Sequence, residues 1–201
     1  MIPGIYEAGC DEAGRGCLCG PVSCAAVILP EDFLLDDLND SKQLSANKRE
    51  ELRTIIEKEA LAWAVVMVEA DEIDKINILN ASIAGMQRAL DKLPIRPKHI
   101  IVDGNKFKPY LDPILRMQTP HTTVVKGDAK YLSIAAASIL AKTHRDELML
   151  KYAKEYPGYD WEKNMGYPTK QHRMAISTLG LTPLHRRTFG PCSQPSLFDT
   201  L

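Results

Sequence analysis

Two adjacent carboxylates, Asp11 and Glu12, stand inside the stretch Ala8-Gly9-Cys10-Asp11-Glu12-Ala13-Gly14-Arg15-Gly16. The apolar run from Ile5 to Cys10 predicts a strand that delivers both acids at its end. Carboxylate oxygens are hard donors that suit Mg²⁺ or Mn²⁺. Gly14 and Gly16 remove Cβ atoms where the backbone must turn or meet a ligand closely. Arg15, between them, offers a fixed charge and a donor fork that fits phosphate. Metal ligands beside a phosphate-sized gap point to phosphoryl chemistry. An Asp-Glu pair alone is also an ordinary polar strand end, so the decision rests on which other acids can join it.

Two further acids follow strands that the pattern predicts. His99-Ile100-Ile101-Val102-Asp103-Gly104 is a short continuous apolar run, as expected of a strand buried on both faces, and it ends in an acid. In open α/β sheets, sites gather beyond the carboxyl ends of parallel strands. Thr122 to Lys126 predicts a fifth strand, and Asp128 lies just past it. Asp146, on the polar half of a later helix, is the rival fourth acid; Asp128 is preferred. Four acids packed together repel one another, and two divalent ions relieve that repulsion. Such an ion pair, roughly 4 Å apart, serves both the attacking water and the leaving oxygen of a phosphodiester. No nucleophilic side chain is then needed, and none stands out.

Residues suited to a nucleic acid lie elsewhere in the chain. Arg15 can meet a phosphate, and the backbone at Gly14 and Gly16 can meet a ribose 2′-OH, the group that separates RNA from DNA at one position. Tyr167 offers a flat ring for stacking. His185, Arg186 and Arg187 form a compact basic stretch able to hold phosphates, and Lys42 and Lys142 are weaker candidates of the same kind. The bland alternatives are a half-buried loop tyrosine and a solvated basic turn.

These positions require elements to carry them. Val22 to Leu29 predicts a second strand, hairpin-paired with the first. Ser45 suits the N-cap of a helix from Ala46 to Glu59, and Leu61 to Glu69 a third strand. Apolar residues at Ile73, Ile76, Leu79, Ile83, Met86 and Leu90 predict one helix from Asp71 to Leu93. Phe107 to Pro120 reads as loop, Tyr131 to Tyr156 as a long buried helix, Gly158 to Pro168 as an aromatic loop, and Thr169 as the cap of a last helix ending at Gly180.

The chain has 201 residues, 45% hydrophobic and 25% charged, with a net charge of −1. That suits one domain with a sizeable core. Residues 1–60 carry a net −6 and residues 142–190 a net +4, an acidic region for metals and a basic one for a polyanion. The five cysteines, Cys10, Cys17, Cys19, Cys24 and Cys192, form no CxxC pair and are expected to be reduced and buried rather than zinc-binding. No apolar run reaches the roughly 18–20 residues that span a bilayer, and the start lacks signal-peptide character. A cytoplasmic monomer is expected.

Taken in order, the motifs resemble the ribonuclease HII family: Gly9-Cys-Asp-Glu-Ala-Gly-Arg-Gly16, Asp40-Ser-Lys-Gln-Leu44, Val102-Asp-Gly104, Gly127-Asp128, Ala136-Ala-Ser-Ile-Leu-Ala-Lys142 with Arg145-Asp146, Gly166-Tyr-Pro-Thr169 and His185-Arg-Arg-Thr-Phe-Gly-Pro191. The resemblance runs from Tyr6 to Pro191. It implies an α/β, ribonuclease H-like fold: a five-stranded mixed sheet flanked by helices, with a small helical C-terminal part over about 157–191; the tail over 192–201, with two polar-flanked apolar residues, is expected to be mobile. It implies that Asp11, Glu12, Asp103 and Asp128 bind two catalytic Mn²⁺ or Mg²⁺ ions. By the same resemblance Gly14, Arg15 and Gly16 sense the 2′-OH and Tyr167 stacks on the adjoining deoxyribose. The implied substrates are RNA–DNA hybrids and duplex DNA with embedded ribonucleotides. Cleavage falls 5′ to the ribonucleotide and leaves 3′-OH and 5′-phosphate ends, and the cellular roles are ribonucleotide removal and help with primer removal. Gln194-Pro-Ser-Leu-Phe198 resembles the short peptide by which bacterial replication proteins dock on the sliding clamp. The competing readings are a nuclease of the same fold with another specificity and a non-catalytic hybrid-binding module.

Overall fold

The computed structural model describes residues 6–34 and 44–193. Lys42 with most of the Asp40–Leu44 motif, and the Gln194–Phe198 peptide, lie outside the described residues. Strands β1 (Glu7–Ala13), β2 (Val22–Ile28), β3 (Ala62–Val68) and β4 (His99–Asp103) come first in the chain. A small hairpin follows, β5 (Tyr110–Leu111) with β6 (Gln118–Thr119), and then β7 (His121–Val124). The main sheet has the order β3-β2-β1-β4-β7. Its β3/β2 and β2/β1 pairs are antiparallel, and its β1/β4 and β4/β7 pairs are parallel. The five-stranded mixed sheet is the one expected.

Helices cover both faces. On one, α2 (Ala70–Ile76) and α3 (Ile78–Lys92) lead from β3 back to β4, and α3 packs across β2 and β3. Its Ala81, Met86, Ala89 and Leu90 meet Cys10, Cys24, Ala26 and Ile28 of the sheet. On the other face α1 (Ala46–Glu59) and α4 (Leu132–Glu155) pack together. Leu52, Ile56, Ala135, Ala136, Ile139 and Leu140 there meet Ala25 and Val27. The alternation along β2 serves both cores, because successive strand residues face opposite ways. A third apolar cluster, Met149, Tyr159 and Trp161 around Cys19, joins the end of α4 to α5 (Trp161–Asn164) and α6 (Lys170–Leu179). Ser45 and Thr169 cap α1 and α6 as expected, each accepting an amide three residues on. Among the described residues no helix is long and apolar enough to cross a membrane.

Four expectations shift. The first strand continues to Ala13, so Asp11 and Glu12 are strand residues rather than residues past its end. The stretch from Asp71 to Leu93 is two helices, because Asn77 adopts φ 64° and caps α3 through its side chain. The Pro-rich loop folds into the β5/β6 hairpin: Asp112 is fully buried and accepts the amides of Ile114 and Leu115, which turns the chain. Cys192, expected in the tail, is buried within α7 (Gly190–Ser193).

Candidate active site

The sheet's register brings the acids together. Cys10 on β1 pairs with Val102 on β4, so Asp11 and Asp103 come next on neighbouring parallel strands. Asp103 in turn pairs with Val124 on β7. The chain then turns through Lys126, at φ 55°, into a short 3₁₀ turn, Gly127–Ala129, that carries Asp128. The Gly127 amide donates to Asp103 Oδ1 at 2.7 Å, which ties that turn to β4. Asp11 and Asp128 are both buried, with Glu12 and Asp103 partly so. All four predicted acids therefore gather at one end of the sheet.

Asp11 sits deep because α4 lies very close to β1. A Cβ on Gly9 would overlap the backbone of Ser133 and Ile134, so only glycine permits this approach. One helical turn on, Ser138 lies beside Asp11, and its hydroxyl favours the charged carboxylate. Burial pushes the Asp11 carboxyl well above its ordinary range, and the charges of Glu12 and Asp103 push it further. Burial raises Glu12 as well, opposed by Arg15, whose guanidinium reaches Glu12 Oε1 at 3.0 Å. Acids crowded without a matching cation are the donor set that a divalent ion fits. Asp146, the rival acid, pairs with Lys142 at 2.7 Å instead. It lies eight residues past Ser138 on α4, about 12 Å along a helix.

Beside Glu12 opens a cleft of about 360 Å³, lined by Glu12, Gly14, Arg15, Gly16, Ser138 and Tyr167 among others. Arg15 and Gly16 are exposed on its wall. Tyr167 is 40% exposed, and Lys142 Nζ lies 5.9 Å from its ring centroid. Gly14, Arg15, Gly16, Lys142 and Tyr167 thus share one cavity with an acid of the cluster.

The basic stretch behaves otherwise. Arg187 is exposed, but His185 and Arg186 are buried to 1% and 0% exposure. They are not placed to touch a phosphate on the surface. Arg186 donates to the Gly20 carbonyl through Nε and one terminal nitrogen, at 3.0 and 2.9 Å, and to the Arg15 carbonyl at 2.9 Å. His185 joins a buried chain of rings. Trp161 Nε1 and the Thr182 amide can only donate, so His172 Nε2 and His185 Nδ1 accept from them. The Tyr167 carbonyl can only accept, so His172 Nδ1 carries hydrogen. His185 Nε2 then donates to His172 Nε2 at 3.2 Å. Cys19, His172 and His185 bring potential ligand atoms within 4.8 Å of one another. The His172 lone pair is already used and His185 Nε2 is protonated, so this is a hydrogen-bonded core and not a metal centre. All five cysteines are free and buried, as expected.

Two residues of the cleft carry only a faint signal in the sequence. Ser138 is a lone hydroxyl in an apolar helix, four residues before Lys142 and so on its face; that spacing was the available signal. Arg49 also lines the cleft, but it sits in a charged helix where nothing distinguishes it.

A family description, Ribonuclease HII, matches residues 8–192. A relative from Parabacteroides distasonis named Ribonuclease HII is 64% identical over 189 residues, covering 94% of this chain and 92% of that one. Among solved structures, the ribonuclease H2 of Pyrococcus horikoshii superposes with a TM-score of 0.77 at 30% identity, over 94% of this chain and 96% of that one. The RNase HII of Archaeoglobus fulgidus, solved in a complex with PCNA, gives 0.71 at 26% identity over 96% and 99%.

Proposed function

The chain belongs to the ribonuclease HII family and is an endoribonuclease of the ribonuclease H type with a ribonuclease H-like fold, and from that premise we propose that it cuts RNA–DNA hybrids, and duplex DNA with embedded ribonucleotides, 5′ to the ribonucleotide. The observation that carries this reading is one juxtaposition. Four acids gathered at one end of the sheet adjoin, through Glu12, a cleft lined also by Gly14-Arg15-Gly16 and Tyr167.

In this reading Asp11, Glu12, Asp103 and Asp128 hold two divalent ions, Mg²⁺ or Mn²⁺. Bound there, such ions supply a water of lowered pKa and stabilise charge on the leaving 3′ oxygen. The chain's own groups prepare the oxygens. The Gly127 amide orients Asp103, much as outer hydrogen bonds fix ligands in metal sites generally, and Ser138 favours the charged form of Asp11. Arg15 holds Glu12 until a substrate phosphate competes for its guanidinium. The Gly14–Gly16 backbone reads the 2′-OH, Tyr167 stacks on the neighbouring sugar, and Lys142, Lys42 and Arg187 meet phosphates. Ribonucleotide excision and primer removal in the cytoplasm are the roles this chemistry serves.

The deciding experiment is a labelled DNA duplex carrying one ribonucleotide, incubated with Mg²⁺, with Mn²⁺ and with chelator. One metal-dependent cut 5′ to the ribonucleotide, absent from an all-DNA duplex and with Asp103→Asn, is expected. Equal cutting of all-DNA would discard the specificity.

Gln194–Phe198 is proposed to dock on a sliding clamp, with Leu197 and Phe198 in an apolar pocket; the archaeal relative solved with PCNA supports looking for it. Clamp pull-down should be lost in Leu197→Ala/Phe198→Ala, and no binding by the unaltered chain would end the idea.

A further inference from the structure

Arg145 is 1% exposed and spends its whole guanidinium on backbone carbonyls from two separate segments. Nε donates to Pro21 at 2.9 Å and one terminal nitrogen to Cys19 at 3.0 Å, both at the base of the loop that begins with Gly14. The other terminal nitrogen donates at 2.8 Å to Met165, two residues before Tyr167. The loop lies directly on this fork. Gly14 has φ 90°, and a Cβ there would overlap Arg145 Nε. Arg186 holds the same loop through the Arg15 and Gly20 carbonyls, and none of its side-chain hydrogen bonds reaches the Tyr167 segment. The two segments also touch directly where the Leu18 amide donates to the Gly166 carbonyl at 2.8 Å.

Burying a guanidinium without a carboxylate is expensive unless hydrogen bonds replace its water. An apolar side chain would fill the same volume without that cost. What an apolar side chain lacks is the planar fork, which fixes several acceptors in one geometry.

We propose that Arg145 is a positioning residue for ribonucleotide recognition: its fork sets the distance between the Gly14-Arg15-Gly16 loop and Tyr167, so that the 2′-OH reader and the stacking ring are registered before substrate arrives. This rests on the function proposed above. The metal-binding acids lie on strand ends and a 3₁₀ turn that Arg145 does not touch, so its loss leaves them in place. A misplacement of about 1 Å in such a device can cost about 100-fold in rate.

The test uses the full chain with Arg145→Lys, which keeps the charge but replaces the planar fork of three nitrogens with a single ammonium nitrogen, and with Arg186→Lys as the comparison. Amide hydrogen exchange is read at Leu18, Gly20 and Tyr167. kcat and KM are measured on ribonucleotide-containing and all-DNA duplexes, and Mn²⁺ binding by calorimetry. With Arg145→Lys, exchange should rise in both segments together. KM should rise and discrimination against the all-DNA duplex should fall at least 10-fold, while Mn²⁺ affinity stays within 2-fold. With Arg186→Lys only the loop amides should exchange faster.

Unaltered exchange and discrimination in Arg145→Lys would overturn the proposal. So would a loss of Mn²⁺ affinity in step with thermal stability, which marks general unfolding. Failure of the unaltered chain to cut the ribonucleotide duplex would sink the functional reading alone, because coupled exchange reports the hold without any turnover.

Discussion

The Gly127 amide and the Asp103 carboxylate, 2.7 Å apart, join the end of β4 to the turn that presents Asp128. Asp103 is the acceptor that shapes the turn, and in the function proposed above its charge also holds metal. Asp103→Asn separates the two roles, since the amide oxygen still accepts from Gly127 but the charge is gone. Cleavage should fall by about three orders of magnitude, the kinetic equivalent of the several kcal/mol a catalytic metal contributes. The urea midpoint without metal should stay the same or rise. A large drop in that midpoint would mean that charge at Asp103 shapes the turn.

Crowding of Asp11 and Glu12 predicts how metal and pH act on stability. Both carboxyls are raised above their usual values of 3.8 and 4.5, first by burial. The folded protein thus keeps protons that the unfolded chain releases. Their charged forms oppose folding at neutral pH and above, and that penalty fades as pH falls through the raised values. Divalent ions compete with protons for the same oxygens, so the rise in Tm from saturating Mg²⁺ over EDTA should grow as pH rises through the raised values. Asp11→Asn should raise metal-free stability by about 1 kcal/mol, flatten that pH dependence and abolish cutting. A Mg²⁺ shift independent of pH would argue against metal at these acids.

Tyr167 should act through its ring. Exposed at the cleft's mouth, it can stack for about 1–3 kcal/mol. Tyr167→Ala should raise KM for a single-ribonucleotide duplex roughly 10-fold or more, while Tyr167→Phe stays near the original value. Equal effects of both would place the contribution in the hydroxyl.

Much of the framework was legible because the relevant signals are local. The apolar run to Asp103 and the caps Ser45 and Thr169 are short-range features, and the structure keeps them. Asn77 broke a helix that hydrophobic spacing had joined, since a left-handed residue leaves no trace in an apolar stripe. His185 and Arg186 looked like surface cations because burial is a tertiary property. Only the carbonyls of Arg15 and Gly20, far away in sequence, explain where Arg186 goes.

Gly9 should be intolerant for a packing reason. The atoms a Cβ would overlap are backbone atoms of α4, which cannot rotate away as a side chain can. Gly9→Ala should destabilise by about 3 kcal/mol, at the upper end for overpacking. It should also lower activity in the molecules that do fold, because α4 carries Ser138 to Asp11. A change under about 0.5 kcal/mol in urea unfolding would show that the helix can shift.

The ring chain under Tyr167 should set the acid limit of the fold, with a sign opposite to that of Asp11. Burial depresses His185 to about 4 and lowers His172 below its usual 6.5. The folded form refuses protons that the unfolded chain accepts, so stability is complete above 6.5 and falls as pH drops toward about 4. Protonation at His172 Nε2 would set a new donor against Trp161 Nε1 and His185 Nε2, both already donors. His172→Leu removes that titration and also strands those two buried donors, costing about 1–3 kcal/mol for each. Its urea midpoint at neutral pH should therefore drop, while its further loss between pH 6.5 and about 4 should be shallower than in the unaltered protein. Parallel acid limbs in the two proteins would show that the ring chain is not what fails in acid.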